Sequence, residues 1–194
     1  MDRILWAGTE TAIEQWASMD RAISGAMRAV HEVMAKLRPG TDMTGDRDRC
    51  PSGVYLIDAA EREHFLRQGA FSPGFAVAVL DGVAAGFRAG FFQELAQALR
   101  FPDYFGHNWD AVYDCLTDLN WLPAAGYVLV LDGFERLATD EPDQWEIGLK
   151  VLREACAFWR PLSRPLFALL RGPSELAPSV PPLPFACLSS WRDA

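Results

Sequence analysis

Cysteine is scarce and scattered. The four cysteines, at positions 50, 115, 156 and 187 of 194, make no C-x-x-C spacing, which excludes a small disulfide scaffold and the common zinc and redox motifs. Cys115 and Cys156 fall on apolar helix faces and read as small buried hydrophobes. Only three histidines are present, and none has a neighbour at a known metal-ligand spacing. There is no P-loop, no GxGxxG and no GxSxG, so the usual nucleotide-binding and nucleophile-elbow enzymes are not indicated. No apolar run approaches the ~20 residues of a membrane-spanning helix. The opening MDRILWAGTETAIEQW lacks an apolar core after a basic region, so no signal peptide is expected. These absences lead to the expectation of a cytoplasmic protein without membrane association.

What is present is core material and negative charge. Half of the residues are hydrophobic, 12% are aromatic, and the net charge is −8. The charge is uneven. Residues 1–50 hold seven basic and eight acidic side chains, residues 54–160 hold eight and sixteen, and the remainder three and two. A nucleic-acid binder needs the opposite sign, so no direct nucleic-acid contact is expected. An acidic region suits a cationic partner, whose encounter it speeds and orients.

The pattern along the chain alternates. Residues 9–37 carry Trp16, Ile23, Met27, Val30 and Met34 at helical spacing, and Pro39-Gly40 ends them. A polar, turn-rich stretch follows to residue 53. A short strand is predicted at 54–57 and a helix at 60–68. Residues 75–80, FAVAVL, predict a strand buried on both faces. Helices are predicted at 90–100, 108–119 and 142–159, the last with Pro142 in its first turn. Strands are predicted at 127–131 and 165–170. Strands separated by helices imply parallel pairing through right-handed crossovers. Five prolines from 173 to 184 make the C-terminus an extended tail, with Phe185 and Leu188 available to pin it. The division is 1–53, an N-terminal helical extension and linker; 54–172, an α/β domain; and 173–194, the tail.

The segment 101–121, FPDYFGHNWDAVYDCLTDLNW, is the most informative. Asp110, Asp114 and Asp118 recur every four residues and form one stripe on a helix. Like charges at this spacing destabilise a helix by roughly 0.2–0.5 kcal/mol per pair. The opposite face, Val112, Cys115, Leu116 and Leu119, is a core face. One helix thus has a buried side and a concentrated acidic side, suited to something positive. Asp110 also has a bland reading, a first-turn acid favoured by the helix dipole. Asp114 gains less from the dipole. Asp118 reads equally as a contact or as a solvated residue. Tyr104 and Tyr113 read as surface aromatics beside the acids, the composition of a binding hot spot; Phe105 and Trp109 read as core.

The run Pro102-x-Tyr104-Phe105-Gly106-x-Asn108-x-Asp110-Ala111-x-x-Asp114-Cys115-Leu116-Thr117, followed by YVLVL at 127–131 and VLREA at 151–155, resembles the barstar family of ribonuclease inhibitors. The resemblance covers about residues 75–170. It implies an α/β fold with a barstar-like three-stranded parallel sheet and helices packed on it. To this the chain adds an N-terminal helix and a strand-helix unit. It implies a non-catalytic inhibitor that binds a basic, extracellular-type ribonuclease, barnase-like, one to one as a monomer, without cofactor or metal. The implied partner-binding residues are Tyr104, Gly106, Asn108, Trp109, Asp110, Ala111, Tyr113, Asp114, Thr117, Asp118 and Glu154. By pattern alone Glu154 is a solvated helix residue beside Lys150 and Arg153; the resemblance makes it a contact. The logic is mimicry: carboxylates on a rigid helix take the places of RNA phosphates among the enzyme's cations.

The chain departs from the type member at several points that bear on which nuclease is recognised. His107 stands in place of an acid, Trp109 in place of a smaller aliphatic residue, Asp118 in place of glycine and Leu119 in place of tryptophan. Two other readings compete. One is an immunity or regulatory binding protein for a different toxin or nuclease. The other is a hydrolase, using either a metal held by His107, Asp110 and Asp114 or the carboxylate pair Asp110 and Glu154.

Overall fold

The computed structural model describes residues 51–68, 74–162 and 164–184. The helix predicted at 9–37 and the pinning residues Phe185 and Leu188 lie outside them. Along the described chain the elements are β1 (Gly53–Leu56), α1 (Ala59–Gln68), β2 (Phe75–Asp81), α2 (Arg88–Ala98), α3 (Trp109–Asp118), β3 (Gly126–Asp132), α4 (Glu135–Asp140), α5 (Pro142–Trp159) and β4 (Leu166–Arg171). A 3-10 turn, Ser174–Leu176, follows β4.

The sheet has four parallel strands in the order β1-β4-β3-β2. This corrects the expectation of three strands. The predicted strand at 54–57 is no separate addition. It pairs in register with β4, Gly53 opposite Phe167 and Leu56 opposite Leu170. The physical reason is that β4 is apolar and buried on both faces, and its outer backbone groups need partners once water is excluded. Four residues with Val54 and Tyr55 buried suffice to supply them.

The stretch FAVAVL was also expected to be buried on both faces. In β2, Ala78 and Leu80 are buried, but Val77 and Val79 are 44% and 40% exposed. The difference arises from position: among the described residues β2 is an edge strand with β3 as its one pairing neighbour. β3 and β4, flanked on both sides, are the strands whose apolar runs are buried throughout.

The steps β2→β3→β4 all move across the sheet in one direction. Right-handed crossovers therefore put α2 to α5 on one face. There Phe91, Leu95, Val112, Leu116, Trp145, Leu149, Leu152 and Trp159 form the main core with Leu80, Leu129, Leu131, Leu166 and Leu170. On the second face Val128, Val130, Phe167 and Leu169 are buried with Tyr55, Ile57 and Leu183. β2 and β3 both close on Asp-Gly. A β-carbon on Gly82 would stand 1.4 Å from the Gly133 carbonyl oxygen, and Gly133 has φ +94°; both turns require glycine.

The proline-rich segment finishes the free edge of β1. The Leu56 N–H donates to the Pro181 carbonyl at 2.9 Å, and the Leu183 N–H donates to the Leu56 carbonyl at 2.9 Å. Proline suits this place because an edge segment needs few donors. Ala177, Val180 and Leu183 are buried, and the Trp145 indole N–H donates to the Leu176 carbonyl at 2.9 Å.

Candidate functional site

The loop before α3 is built on Phe105. Its N–H closes a turn onto the Pro102 carbonyl at 2.9 Å. Its buried ring packs edge-on against Phe101 and Phe92, with centroids 4.9 and 6.3 Å away. With Phe105 turned inward, Tyr104 is turned out and is 71% exposed. Partial desolvation first, and then the Asp118 carboxylate, raise the Tyr104 hydroxyl above its ordinary pKa. His107 continues the loop with φ +48°, a left-handed conformation uncommon outside glycine, and its ring lies 4.7 Å from that of Phe105.

Asn108 then starts α3. Its backbone is extended, and its side-chain oxygen accepts from the Ala111 N–H at 2.8 Å, an N-cap. Its amide nitrogen donates back to the Gly106 carbonyl at 3.2 Å. A β-carbon on Gly106 would lie 3.1 Å from that nitrogen. Gly106 and Asn108 therefore shape the loop and the helix start, and both are exposed.

Helix α3 has the two-sided character expected of it. Val112, Cys115 and Leu116 are buried, as is the C-cap Leu119. Asp110 is exposed, and Ala111, Tyr113, Asp114, Thr117 and Asp118 are half-buried at the rim. The Thr117 hydroxyl donates back to the Tyr113 carbonyl at 2.8 Å, with the Asp114 carbonyl 3.2 Å away. Asp110 lies in the first turn, where the dipole favours a carboxylate; Asp118 ends the helix, where the dipole opposes one. The Asn120 side-chain amide donates to Asp118, and the chain leaves the helix at Leu119 with φ +46°.

The back of α3 rests on α5. At one end the Trp109 indole N–H donates to Gln144 Oε1 at 2.9 Å. At the other the Trp159 indole N–H donates to the Leu116 carbonyl at 2.8 Å. The two helices thus run side by side in the same direction. On α5 the residues facing Trp109 are Gln144 and Gly148. Ile147, also on α5, is 41% exposed. Glu154 is exposed and makes an i,i+4 ion pair with Lys150 at 3.9 Å, of small energetic weight.

Reading the sequence did not single out Gln144, Ile147 or Gly148. A glycine inside a strong helix pattern was the available signal for the last, since such a glycine usually has a packing reason. Among the described residues no group of three His, Cys, Asp or Glu side chains is arranged to hold a metal ion. A cleft of about 360 Å³ beside the loop is lined by Arg88, Ala89, Phe92, Gln93 and His107. Neither Asp110 nor Glu154 lines it, so it offers no paired-carboxylate centre. Cys115 and Cys156 are buried free thiols. Burial is the main cause that pushes each up to about 12, with Asp114 and Asp118 adding to the effect at Cys115. Unreactive thiols result.

Residues 75–171 match the family model described as Barstar (barnase inhibitor). A protein of Bacillus subtilis (strain 168) named "Putative ribonuclease inhibitor YrdF" is 42% identical over 62 residues, which are 32% of this chain and 65% of that protein. The chain thus spans a little under two thirds of that relative's length. Both descriptions are of inhibitors, not of enzymes. The match extends from β2 through β4 and takes in the whole of α3 and α5, and on that ground the chain belongs to the barstar family.

Proposed function

We propose that this protein binds a basic ribonuclease one to one and lays the acidic side of α3 over its active site. The observation that carries the reading is the division of α3: its apolar side is buried against α5 and the sheet, while Asp110, Asp114 and Asp118 line the opposite side. Tyr104 stands 71% exposed beside them. Carboxylates on such a rigid element meet arginine, lysine and histidine groups that otherwise hold phosphate, and charge-assisted hydrogen bonds to them exclude RNA. Glu154 on α5 extends the acidic surface. Tyr104, Tyr113 and the exposed backbone at Gly106 and Asn108 supply the aromatic and polar surroundings of a hot spot. A cytoplasmic site of action, where the inhibitor shields the cell that makes the enzyme, belongs to the same proposal.

The test is competition. A purified barnase-type ribonuclease is titrated with the protein in the presence of an active-site nucleotide analogue. Mutually exclusive binding and loss of RNA cleavage are expected. Simultaneous binding of both would refute active-site occlusion. Binding to a different toxin, with no effect on any ribonuclease, would favour a regulatory or immunity role toward another target.

A further inference from the structure

Helix α5 carries Gly148 in its interior, where glycine is unfavourable relative to alanine. The Trp109 ring accounts for it. A β-carbon at position 148 would stand 2.8 Å from Trp109 Cη2, 3.3 Å from Cζ3 and 3.5 Å from Cζ2. The indole N–H of the same ring donates to Gln144 Oε1 at 2.9 Å, one turn earlier on α5. Phe91 and Phe92 of α2 close on the ring, with centroids 5.5 and 4.9 Å away. The first residue of α3 is therefore sunk into a notch on α5 and hydrogen-bonded there.

This geometry bears on the acidic surface. Asp110 follows Trp109 directly and Asp114 lies one turn further; Glu154 belongs to the helix that bears the notch. How deep the indole sits sets how α3 is spaced and rotated against α5. We infer that Trp109, Gln144 and Gly148 act as wedge and notch, holding Asp110, Asp114 and Glu154 as one rigid set for the partner. Gln144 and Gly148 are positioning residues that act through Trp109 and touch no partner themselves. The inference deepens the ribonuclease-binding reading and rests on it. Functional constellations tolerate displacements of only about 0.5 Å. A methyl at 148 would meet the ring at 2.8 Å, and restoring an ordinary carbon-carbon contact of ~3.5 Å forces the ring out by about 0.7 Å, more than that tolerance.

The experiment uses the full chain as wild type, Gly148→Ala, Trp109→Phe and the double variant, with barnase as the probe ribonuclease. Association is followed by stopped flow and dissociation by displacement. Gly148→Ala is expected to raise koff at least tenfold and to leave kon within twofold, because no charge changes. Trp109→Phe, which loses the bond to Gln144 and the outer ring that fills the notch, is likewise expected to raise koff, and in the double variant the two effects are expected not to add, since a phenyl ring lacks the outer atoms that the methyl meets. Loss of folded protein would instead lower the binding amplitude and leave koff unchanged. An unchanged koff in Gly148→Ala, or a double variant whose rise in koff is the full product of the two single rises, overturns the inference. If wild type does not bind barnase, the functional reading fails for that enzyme. The wedge is then read from the Trp109 indole N–H, identified by its absence in Trp109→Phe. Its exchange protection is expected to fall at least tenfold in Gly148→Ala, and equal protection in the two proteins overturns the wedge.

Discussion

Trp159→Phe tests how α3 is held in place. Trp159 is 3% exposed, and its indole N–H donates to the Leu116 carbonyl at 2.8 Å. Leu116 lies in the last turn of α3, where carbonyls have no partner within the helix. The substitution keeps an aromatic ring against Tyr127 and Phe158 but strands that carbonyl in a buried place. A buried acceptor left unsatisfied costs about 1–3 kcal/mol. The smaller ring leaves a void that adds about 1 kcal/mol, a fraction of the ~3–5 kcal/mol of full truncation to alanine. The expected loss is about 2–4 kcal/mol, or roughly 5–15 °C in Tm for a chain of this size. Urea unfolding followed by far-ultraviolet circular dichroism measures it, with the slope unchanged and the midpoint lowered. Trp145→Phe serves as the comparison, because its N–H donates to the Leu176 carbonyl after β4 and not to a carbonyl of α3. Hydrogen exchange in α3 should quicken in the first variant well beyond the second. A Trp159→Phe protein within ~0.5 kcal/mol of wild type would refute the reasoning, since no capping bond of consequence would have been lost.

Four more outcomes are expected. Asp114→Ala should weaken binding to a ribonuclease by roughly 2–5 kcal/mol if its carboxylate pairs in a desolvated contact, and Asp118→Ala by less, as for a rim charge; equal Kd values in calorimetry would refute this ranking. Association should be fast and salt-sensitive, with kon falling as the Debye length shrinks to ~10 Å near 0.1 M salt and koff changing less; a flat stopped-flow salt series would show that the acidic face is not what meets the partner. Burial holds both Cys115 and Cys156 near 12, above their ordinary value of 9.0. The folded protein then retains protons that the unfolded chain gives up. Their contribution is fully present below about 9 and is lost as pH rises toward 12. Stability should therefore decline through that window, by less in Cys115→Ala than in its parent, and a pH-independent denaturation midpoint from 9 to 11 would contradict it. In a background with Cys50 and Cys187 replaced by serine, a thiol reagent at pH 8 should label the folded protein hardly at all.

Much of the molecule was legible in local pattern. The runs YVLVL and LFALL are apolar without alternation and became the strands buried on both faces. The i, i+4, i+8 spacing of Asp110, Asp114 and Asp118, set against Val112, Cys115 and Leu116, predicted which side of α3 is wet. Pro142 marked the start of α5. These features follow from periodicity, which the chain carries whatever it packs against. Strand order is different, because it is decided by hydrogen bonds between segments far apart in the chain. FAVAVL looks as central as YVLVL, and only the pairing of β2 on one side leaves Val77 and Val79 exposed. Residues 54–57 read as an added strand, and only the edge of β4 makes Gly53–Leu56 part of the sheet. The prolines at 181 and 182 read as part of an extended tail, and what that tail pairs with is decided by Leu56, which bonds to Pro181 and Leu183. At the candidate site the acids could be read from the sequence, but their support could not. Trp109 and Gly148 are 39 positions apart, and nothing local says that a tryptophan on one helix needs the missing side chain of another. The sequence by itself determined which side chains α3 turns to solvent, because helical period alone decides that; their placement against α5 depends on close packing between distant segments and was decided by the tertiary structure.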